Sequence, residues 1–381
     1  MMENSFNETG ISPELINALQ KQNITVPAKI QFESIKLLLE GNDVIGCSET
    51  GSGKTLAYLL PLFMKIKKDE IRNQAVIVSP THELAIQIQR VIEALITDSG
   101  TKITSAQCIG GANIMRQIDK LKKKPHIIVG TAGRIIELIE KKRIAVDIET
   151  LIIDEADKML DDTNFDVLLK LIKKLVRTNR QTVLFSASIT DQTLKRAVKI
   201  TKDAKIVKTS NEYKINKDVE HFYIETDSRD KILMLRKIYA AIMPQKALVF
   251  MNSDDKITEL AEKLTFHKLK IASMHGRFKK LERKQALDSF RKGDAPFMVS
   301  SDISARGLDI KDVDFVINFD MPEDSLDYLH RIGRTARAGK KGIAISLVTP
   351  YDMKLLEKHS KHFGFILKKA SLSQGFLNLS E

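Results

Sequence analysis

The segment Asp43 to Thr55 reads DVIGCSETGSGKT, an apolar run followed by a glycine-rich turn that closes on Gly-Lys-Thr and opens a helix-period stretch. Residues of these types at this spacing handle phosphate. Gly51 and Gly53 let backbone amides of the loop, with Ser48, Thr50 and Ser52 lining it, wrap phosphate oxygens. Lys54 reaches the β- and γ-oxygens of a nucleotide, and the Thr55 hydroxyl suits Mg²⁺. Ser48 stands where the strict pattern has glycine, and a small residue there still permits the turn. Downstream, the apolar run Thr150 to Ile153 delivers Asp154, Glu155, Ala156 and Asp157. Carboxylates at the C-terminal end of a parallel strand stand where such sheets bind ligands. Asp154 is expected in the Mg²⁺ shell and Glu155 is expected to orient or deprotonate the attacking water, the division of labour of a nucleotide hydrolase. Alone, these acids would read as a helix N-cap; the loop upstream decides between the two.

Such a site needs parallel strands to carry it, and short apolar runs do alternate here with longer helix-period segments, the pattern of βαβ units. Strands are expected over Asp43 to Cys47, Ala75 to Ser79, His126 to Gly130, Thr150 to Asp154, Thr182 to Ser186 and Lys205 to Lys208. A second set is expected over His221 to Glu225, Ala247 to Met251, Ile271 to His275, Phe297 to Ser301, Phe315 to Phe319 and Ile343 to Val348. Between the sets, residues 210–218 are polar and charged with no apolar period, a linker between a first domain at 1–209 and a second at 219–381. After the last strand, the stretch from Tyr351 reads as one helix and a short polar end. The expected fold class is α/β, two tandem domains of mostly parallel sheet with helices on both faces.

A chain of 381 residues favours two cores over one. Lysine and arginine number 61 against 49 acidic residues, a formal charge of +12 that attracts polyanions without specifying a site. Clusters such as Lys122 to Lys124 read as solvated faces. Two cysteines, Cys47 and Cys108, make neither a disulfide framework nor a metal cluster, which fits a reducing compartment. The N-terminus lacks a basic segment followed by an apolar run, so no secretory signal is expected. The apolar stretch near Leu56 to Met64 contains Pro61 and falls short of the roughly 20 residues that span a bilayer. A cytoplasmic protein without membrane contact is expected.

Taken together, the chain resembles a DEAD-box RNA helicase, a family of two RecA-like domains named for the tetrapeptide that Asp154 to Asp157 spell. The resemblance runs from Phe6 to Arg337 and its motifs fall in the family's order. Phe6, ahead of Pro27-Ala28-Lys29-Ile30-Gln31, resembles the glutamine motif, which implies an aromatic stacked on adenine and Gln31 reading the base edge. A side-chain amide bonds both N6 and N7 of adenine, so ATP is the implied fuel. Pro80-Thr81-His82-Glu83-Leu84-Ala85, Gly110-Gly111 and Thr131-Ala132-Gly133-Arg134 resemble strand-binding motifs, and hydroxyls, helix amides and Arg134 suit phosphate and ribose oxygens without base reading. Ser186-Ala187-Ser188 resembles the element coupling hydrolysis to strand separation.

In the second half, Val249 to Ser253 and the pair Lys280 and Arg283 resemble the fourth motif and its neighbour, with Arg283 implied at RNA. Ser301 to Asp309 resembles a motif touching both ligands, with Ser301 and Arg306 at RNA, Gly307 at nucleotide and Asp309 near the ribose. His330-Arg331-Ile332-Gly333-Arg334-Thr335-Ala336-Arg337 resembles the arginine-finger motif, with His330 coupling the domains. Arg334 and Arg337 are three apart, so on a helix they would project from one face toward a transferring phosphoryl group. Three positions depart from the family: His82 for arginine, Ser188 for threonine and Lys280 for glutamine. A histidine is shorter and only partly charged near neutral pH, so a contact there is weakened or rewired.

The resemblance implies a monomeric, ATP- and Mg²⁺-dependent RNA helicase that opens short duplexes locally by closing two lobes on one strand. Ribonucleoprotein or degradosome-type proteins are its implied partners. Two alternatives stay open at this level: a DNA motor, and an ATP-gated RNA clamp that seldom unwinds.

Overall fold

Valine, isoleucine and leucine runs too short for stable helices form the strands, and sheet pairing buries them on both faces. The computed structural model describes residues 5–381 except 50, 210–214, 244–245, 276–277, 279, 303–312, 337–339, 374 and 380–381. The chain divides into two compact units, Met1–Glu212 and Tyr213–Glu381.

In the first unit the strands are β1 (Val44–Cys47), β2 (Ala75–Val78), β3 (Ser105–Cys108), β4 (Ile127–Gly130), β5 (Thr150–Ile153), β6 (Gln181–Ser186) and β7 (Lys205–Lys208). They lie in the order β3-β4-β2-β5-β6-β1-β7, and every neighbouring pair is parallel. Alternate residues feed opposite cores. Val44, Ala75, Ile77, Val129 and Ile152 pack on one face with the helix Lys54–Lys65, while Ile45, Val76, Val78, Ile128 and Leu151 pack on the other with the helices Ala132–Glu140 and Phe165–Lys174. Ile77 is fully buried, and its truncation to alanine would cost about 2–5 kcal/mol.

The second unit holds β8 (Val219–Glu225), β9 (Ala247–Met251), β10 (Ile271–Met274), β11 (Phe297–Ser301), β12 (Phe315–Asn318), β13 (Gly342–Val348), β14 (Leu367–Ser373) and β15 (Phe376–Leu379). Their order is β10-β11-β9-β12-β13-β8-β14-β15, parallel throughout except for the antiparallel final pair. The expectation for the C-terminal end needs correction. The helix Pro350–Phe363 is present, but beyond it the chain forms an edge hairpin and not a polar tail. Strand β3 was also absent from the expectation; its Ser-Ala-Gln-Cys alternation buries one residue in two, as an edge strand does.

Because all seven strands of the first sheet run the same way, every loop after a strand emerges at one edge. No helix among the described residues is long and apolar enough to cross a membrane.

Candidate active site

The turn after β1 begins where the Ser48 amide donates to the Ser186 carbonyl at 3.1 Å, fixing the loop beside the end of β6. Gly51 and Gly53 have φ of +83° and +86°, the left-handed region that strains other residues. A Cβ on Gly51 would meet nothing within 4 Å, so the loop opens on that side. The helix Lys54–Lys65 follows with no side chain capping its N-terminus, which aims its first amides and positive dipole end at the loop. Lys54 Nζ donates to the Ser48 and Glu49 carbonyls, 2.6 Å each, so the ammonium is threaded through the loop. Burial pulls its pKa below the ordinary lysine value, and the charges of Asp154, Asp157 and Glu155 oppose that. Ser52 Oγ is buried and finds no hydrogen-bond partner among the described residues. Thr50 lies outside the described residues.

The carboxylates stand at the end of β5, two strands from β1 in the sheet. Asp154 is 4% exposed; its Oδ2 accepts from the Tyr58 hydroxyl at 2.8 Å and its Oδ1 from the Glu155 amide at 2.9 Å. Burial raises its pKa, against the pull of Tyr58 and Lys54. Glu155 has φ +48° and ψ +54°, an uncommon conformation for a non-glycine residue that turns the chain sharply into the helix Ala156–Met159. The Ser186 hydroxyl donates to Asp157 Oδ1 at 2.6 Å and accepts from the Asp157 and Ser188 amides at 3.2 Å, joining the end of β6 to the acidic motif. Ser188 is fully buried and its Oγ has no hydrogen-bond partner among the described residues.

Gln31, on the helix Lys29–Leu39, is buried. Its Nε2 donates to the Gly53 carbonyl at 3.0 Å and its Oε1 accepts from the Ala28 amide at 2.9 Å, so it braces the loop. Phe6 is 2% exposed and packs in the core with Ile11 and Leu15, so its ring has no open face in this structure.

The strand-binding motifs gather at the other half of the same edge, after β2, β4 and β3. The Ser79 amide donates to the Gly130 carbonyl and the Thr131 amide to the Cys108 carbonyl, at 3.1 and 3.2 Å. Pro80 leads into Thr81, whose hydroxyl caps the helix His82–Ser99 by accepting from the Leu84 amide. Thr131 precedes the helix Ala132–Glu140 without a side-chain cap, and Gly133 is exposed in its first turn. Arg134 Nη1 donates to the Ala112 carbonyl at 3.4 Å and its Nε lies 3.1 Å from Glu137, so it ties this helix to the loop of Gly110 and Gly111. The His82 ring lies against Gly110, where an added Cβ would meet Nε2 at 3.0 Å.

In the second unit Ser301 ends β11 and is buried, Arg283 is half-buried on the helix Lys280–Lys292, and His330 Nδ1 stands 4.0 Å from Asp327 Oδ1. The helical argument for Arg334 and Arg337 does not hold. The helix Ser325–Ile332 ends before Gly333, Arg334 sits buried in the turn beyond it, and Ala336 has φ +54°. Arg337 lies outside the described residues, as do Arg306, Gly307 and Asp309. Sequence reasoning missed Arg331, which is 1% exposed and donates to both Asp302 oxygens at 2.7 Å and to Asn252 Oδ1 at 2.7 Å. It also missed Tyr58, whose place on an apolar helix face reads as core.

Residues 28–197 match the DEAD/DEAH box helicase family and residues 230–339 the helicase conserved C-terminal domain. The chain is 37% identical over 352 residues to the probable ATP-dependent RNA helicase YfmL of Bacillus subtilis (strain 168), covering 92% of each. It is 37% identical over 366 residues to the DEAD-box ATP-dependent RNA helicase CshC of Bacillus cereus, covering 96% of this chain and 93% of the relative. Among solved structures, S. cerevisiae Dbp5 bound to RNA and ADP BeF3 has a TM-score of 0.87 at 29% identity, covering 96% of this chain and 95% of that one. Mss116p bound to ssRNA and AMP-PNP has a TM-score of 0.86 at 26% identity, covering 98% and 80%. The chain belongs to the DEAD-box ATP-dependent RNA helicases, and its two units are the RecA-like domains of that family.

Proposed function

We propose that this helicase opens short RNA duplexes locally and non-processively, or remodels RNA–protein complexes, by closing its two units on one strand when ATP is bound. One observation carries the reading: Lys54, Asp154, Glu155 and Ser186 converge from the ends of β1, β5 and β6, while Thr81, Gly110 and Thr131 converge from the ends of β2, β3 and β4 on the same edge. Fuel chemistry and strand grip thus share one sheet.

The donors fit a hard cation. Thr55 and Asp154 offer oxygens, and a buried carboxylate with burial raising its pKa gains from a neighbouring positive charge. Held by these two residues, Mg²⁺ would supply charge stabilisation to the phosphates. Lys54 holds the same phosphates as a point charge. Glu155 orients and deprotonates the attacking water, Gln31 forms the adenine end together with Phe6 once that ring leaves the core to stack on the base, and Gly307 and Asp309 serve the ribose end. Arg334 and Arg337 come from the second unit to meet developing phosphoryl charge.

Pro80, Thr81, Gly110, Gly111, Thr131, Gly133 and Arg134 grip phosphates and sugars, joined by Arg283, Ser301 and Arg306, so RNA is held by its backbone with little sequence preference. Ser186, Ser188 and His330 couple the two events. Either ligand then favours the other, because both select the joined state. Hydrolysis and phosphate release remove the charge that holds the arginines, and the clamp opens. The enzyme works as a cytoplasmic monomer, with ribonucleoprotein or degradosome-type partners choosing its targets.

ATP hydrolysis measured side by side with single-stranded RNA and DNA tests the reading. Stimulation by RNA alone is expected, and displacement of a short RNA duplex should require ATP. Equal stimulation by DNA would remove the RNA assignment, and tight ATP-dependent retention without displacement would make the protein a clamp.

A further inference from the structure

The first unit contains a polar contact that neither loop chemistry nor the acidic motif requires. Tyr58 is 1% exposed and lies one turn into the helix Lys54–Lys65, three residues beyond Thr55 and therefore on the same helix face. Its hydroxyl donates to Asp154 Oδ2 at 2.8 Å, while Asp154 Oδ1 accepts from the Glu155 amide at 2.9 Å. Each oxygen of this carboxylate therefore has a fixed donor. The Tyr58 ring is itself wedged by Phe185 of β6, with centroids 5.6 Å apart, and Phe185 fits because Gly46 of β1 lacks a Cβ that would stand 2.4 Å from its ring.

We infer that Tyr58 is a positioning residue for the metal-binding carboxylate, its hydroxyl setting the rotamer of Asp154 from the helix face that also carries Thr55. The inference rests on the reading of Asp154 and Thr55 as Mg²⁺ ligands. Groups that orient a ligand from behind are worth roughly 10–100-fold in metal affinity or activity. A phenylalanine would fill the same space and keep the Phe185 contact, yet leave Asp154 Oδ2 without its donor.

The test uses the full chain and a fluorescent non-hydrolysable ATP analogue, whose affinity is measured in EDTA and again with saturating Mg²⁺. For Tyr58→Phe the EDTA affinity should match the wild type while the gain on adding Mg²⁺ shrinks roughly 10-fold. Asp154→Asn should abolish that gain, and adding Tyr58→Phe to it should change nothing further. Phe185→Leu, which loosens the ring without removing the hydroxyl, should lower the unfolding temperature and keep the Mg²⁺ gain. A full Mg²⁺ gain in Tyr58→Phe, whatever its unfolding temperature, overturns the inference while Asp154 stands. A full gain in Asp154→Asn instead overturns the metal reading and the inference with it.

Discussion

The Arg331 guanidinium closes a two-armed fork on the Asp302 carboxylate, 2.7 Å on each arm, inside the second unit. Its remaining donors reach Asn252 Oδ1 and the Asp320 carbonyl, and the group lies 5.3 Å from the Phe250 ring centroid. The fork therefore pins the end of β11 to the helix that carries His330. A charge so buried stabilises only while its partner remains, and removing one member of such a pair costs about 3–5 kcal/mol. Arg331→Met should lower the denaturation free energy of the second unit by about that amount. Asp302→Asn should lower it less, because an amide still accepts from one arm. Denaturant unfolding of the full chain, read by a probe in the second unit, checks both; a midpoint unchanged by Arg331→Met would show the fork to be dispensable.

Glu155, left-handed at the end of β5, is the proposed base for the attacking water. Glu155→Gln keeps shape and removes the proton acceptor. Turnover should fall roughly 10²–10⁴-fold with nucleotide affinity retained and RNA held longer, since general-base catalysis is worth about that factor. Single-turnover hydrolysis at saturating RNA measures it, and normal turnover would take the role from Glu155.

Gln31 bonds the Gly53 carbonyl and the Ala28 amide at once, so it couples the glutamine motif to the phosphate loop. Gln31→Ala should weaken ATP binding roughly 10-fold, the loss of about 1.4 kcal/mol expected for one or two buried hydrogen bonds. Discrimination between ATP and GTP should narrow. Titration of each nucleotide onto the wild type and the variant decides; an unaltered ATP affinity would separate the two motifs.

His221 stacks 4.0 Å from the Phe365 ring with Nδ1 2.9 Å from the Tyr328 hydroxyl, and burial pushes its pKa down to about 3. The unfolded chain protonates this imidazole near 6.5 while the folded chain does not. Between those values the unfolded state binds more protons, so stability falls as pH falls, by up to about 1.4 kcal/mol per pH unit. Burial lowers the pKa of His359 as well, which adds in the same direction. His221→Gln should flatten the decline of unfolding free energy between pH 6.5 and 4.5, and an identical slope would exclude His221 as its source.

Much of this was legible because central strands must be apolar on both faces: Ala75–Val78, Ile127–Gly130 and Ala247–Met251 are continuous runs that no surface helix would carry. Edge strands escape that constraint. Ser105–Cys108, at a sheet edge, buries only alternate residues, and Leu367–Ser373, which leads into the terminal hairpin, buries only Ala370, so their runs look like turns or tail. Lys54 and Thr55 could be proposed from the local spacing of a phosphate loop, and Asp154 and Glu155 from their place after an apolar strand. Tyr58 and Arg331 were not, because each acts through a partner distant in sequence, Asp154 and Asp302, which only the folded sheet brings near. The helical reading of Arg334 and Arg337 failed at Gly333, where the helix Ser325–Ile332 gives way to a turn.

The central claim is that ATP and RNA select one joined state of the two units. Its most direct measurement is the affinity of single-stranded RNA with and without a non-hydrolysable ATP analogue, paired with the affinity of the analogue with and without RNA. The two ratios should be equal, each roughly 5–150-fold, because a coupling free energy acts reciprocally. RNA affinity indifferent to the nucleotide, with nucleotide affinity indifferent to RNA, would contradict the account.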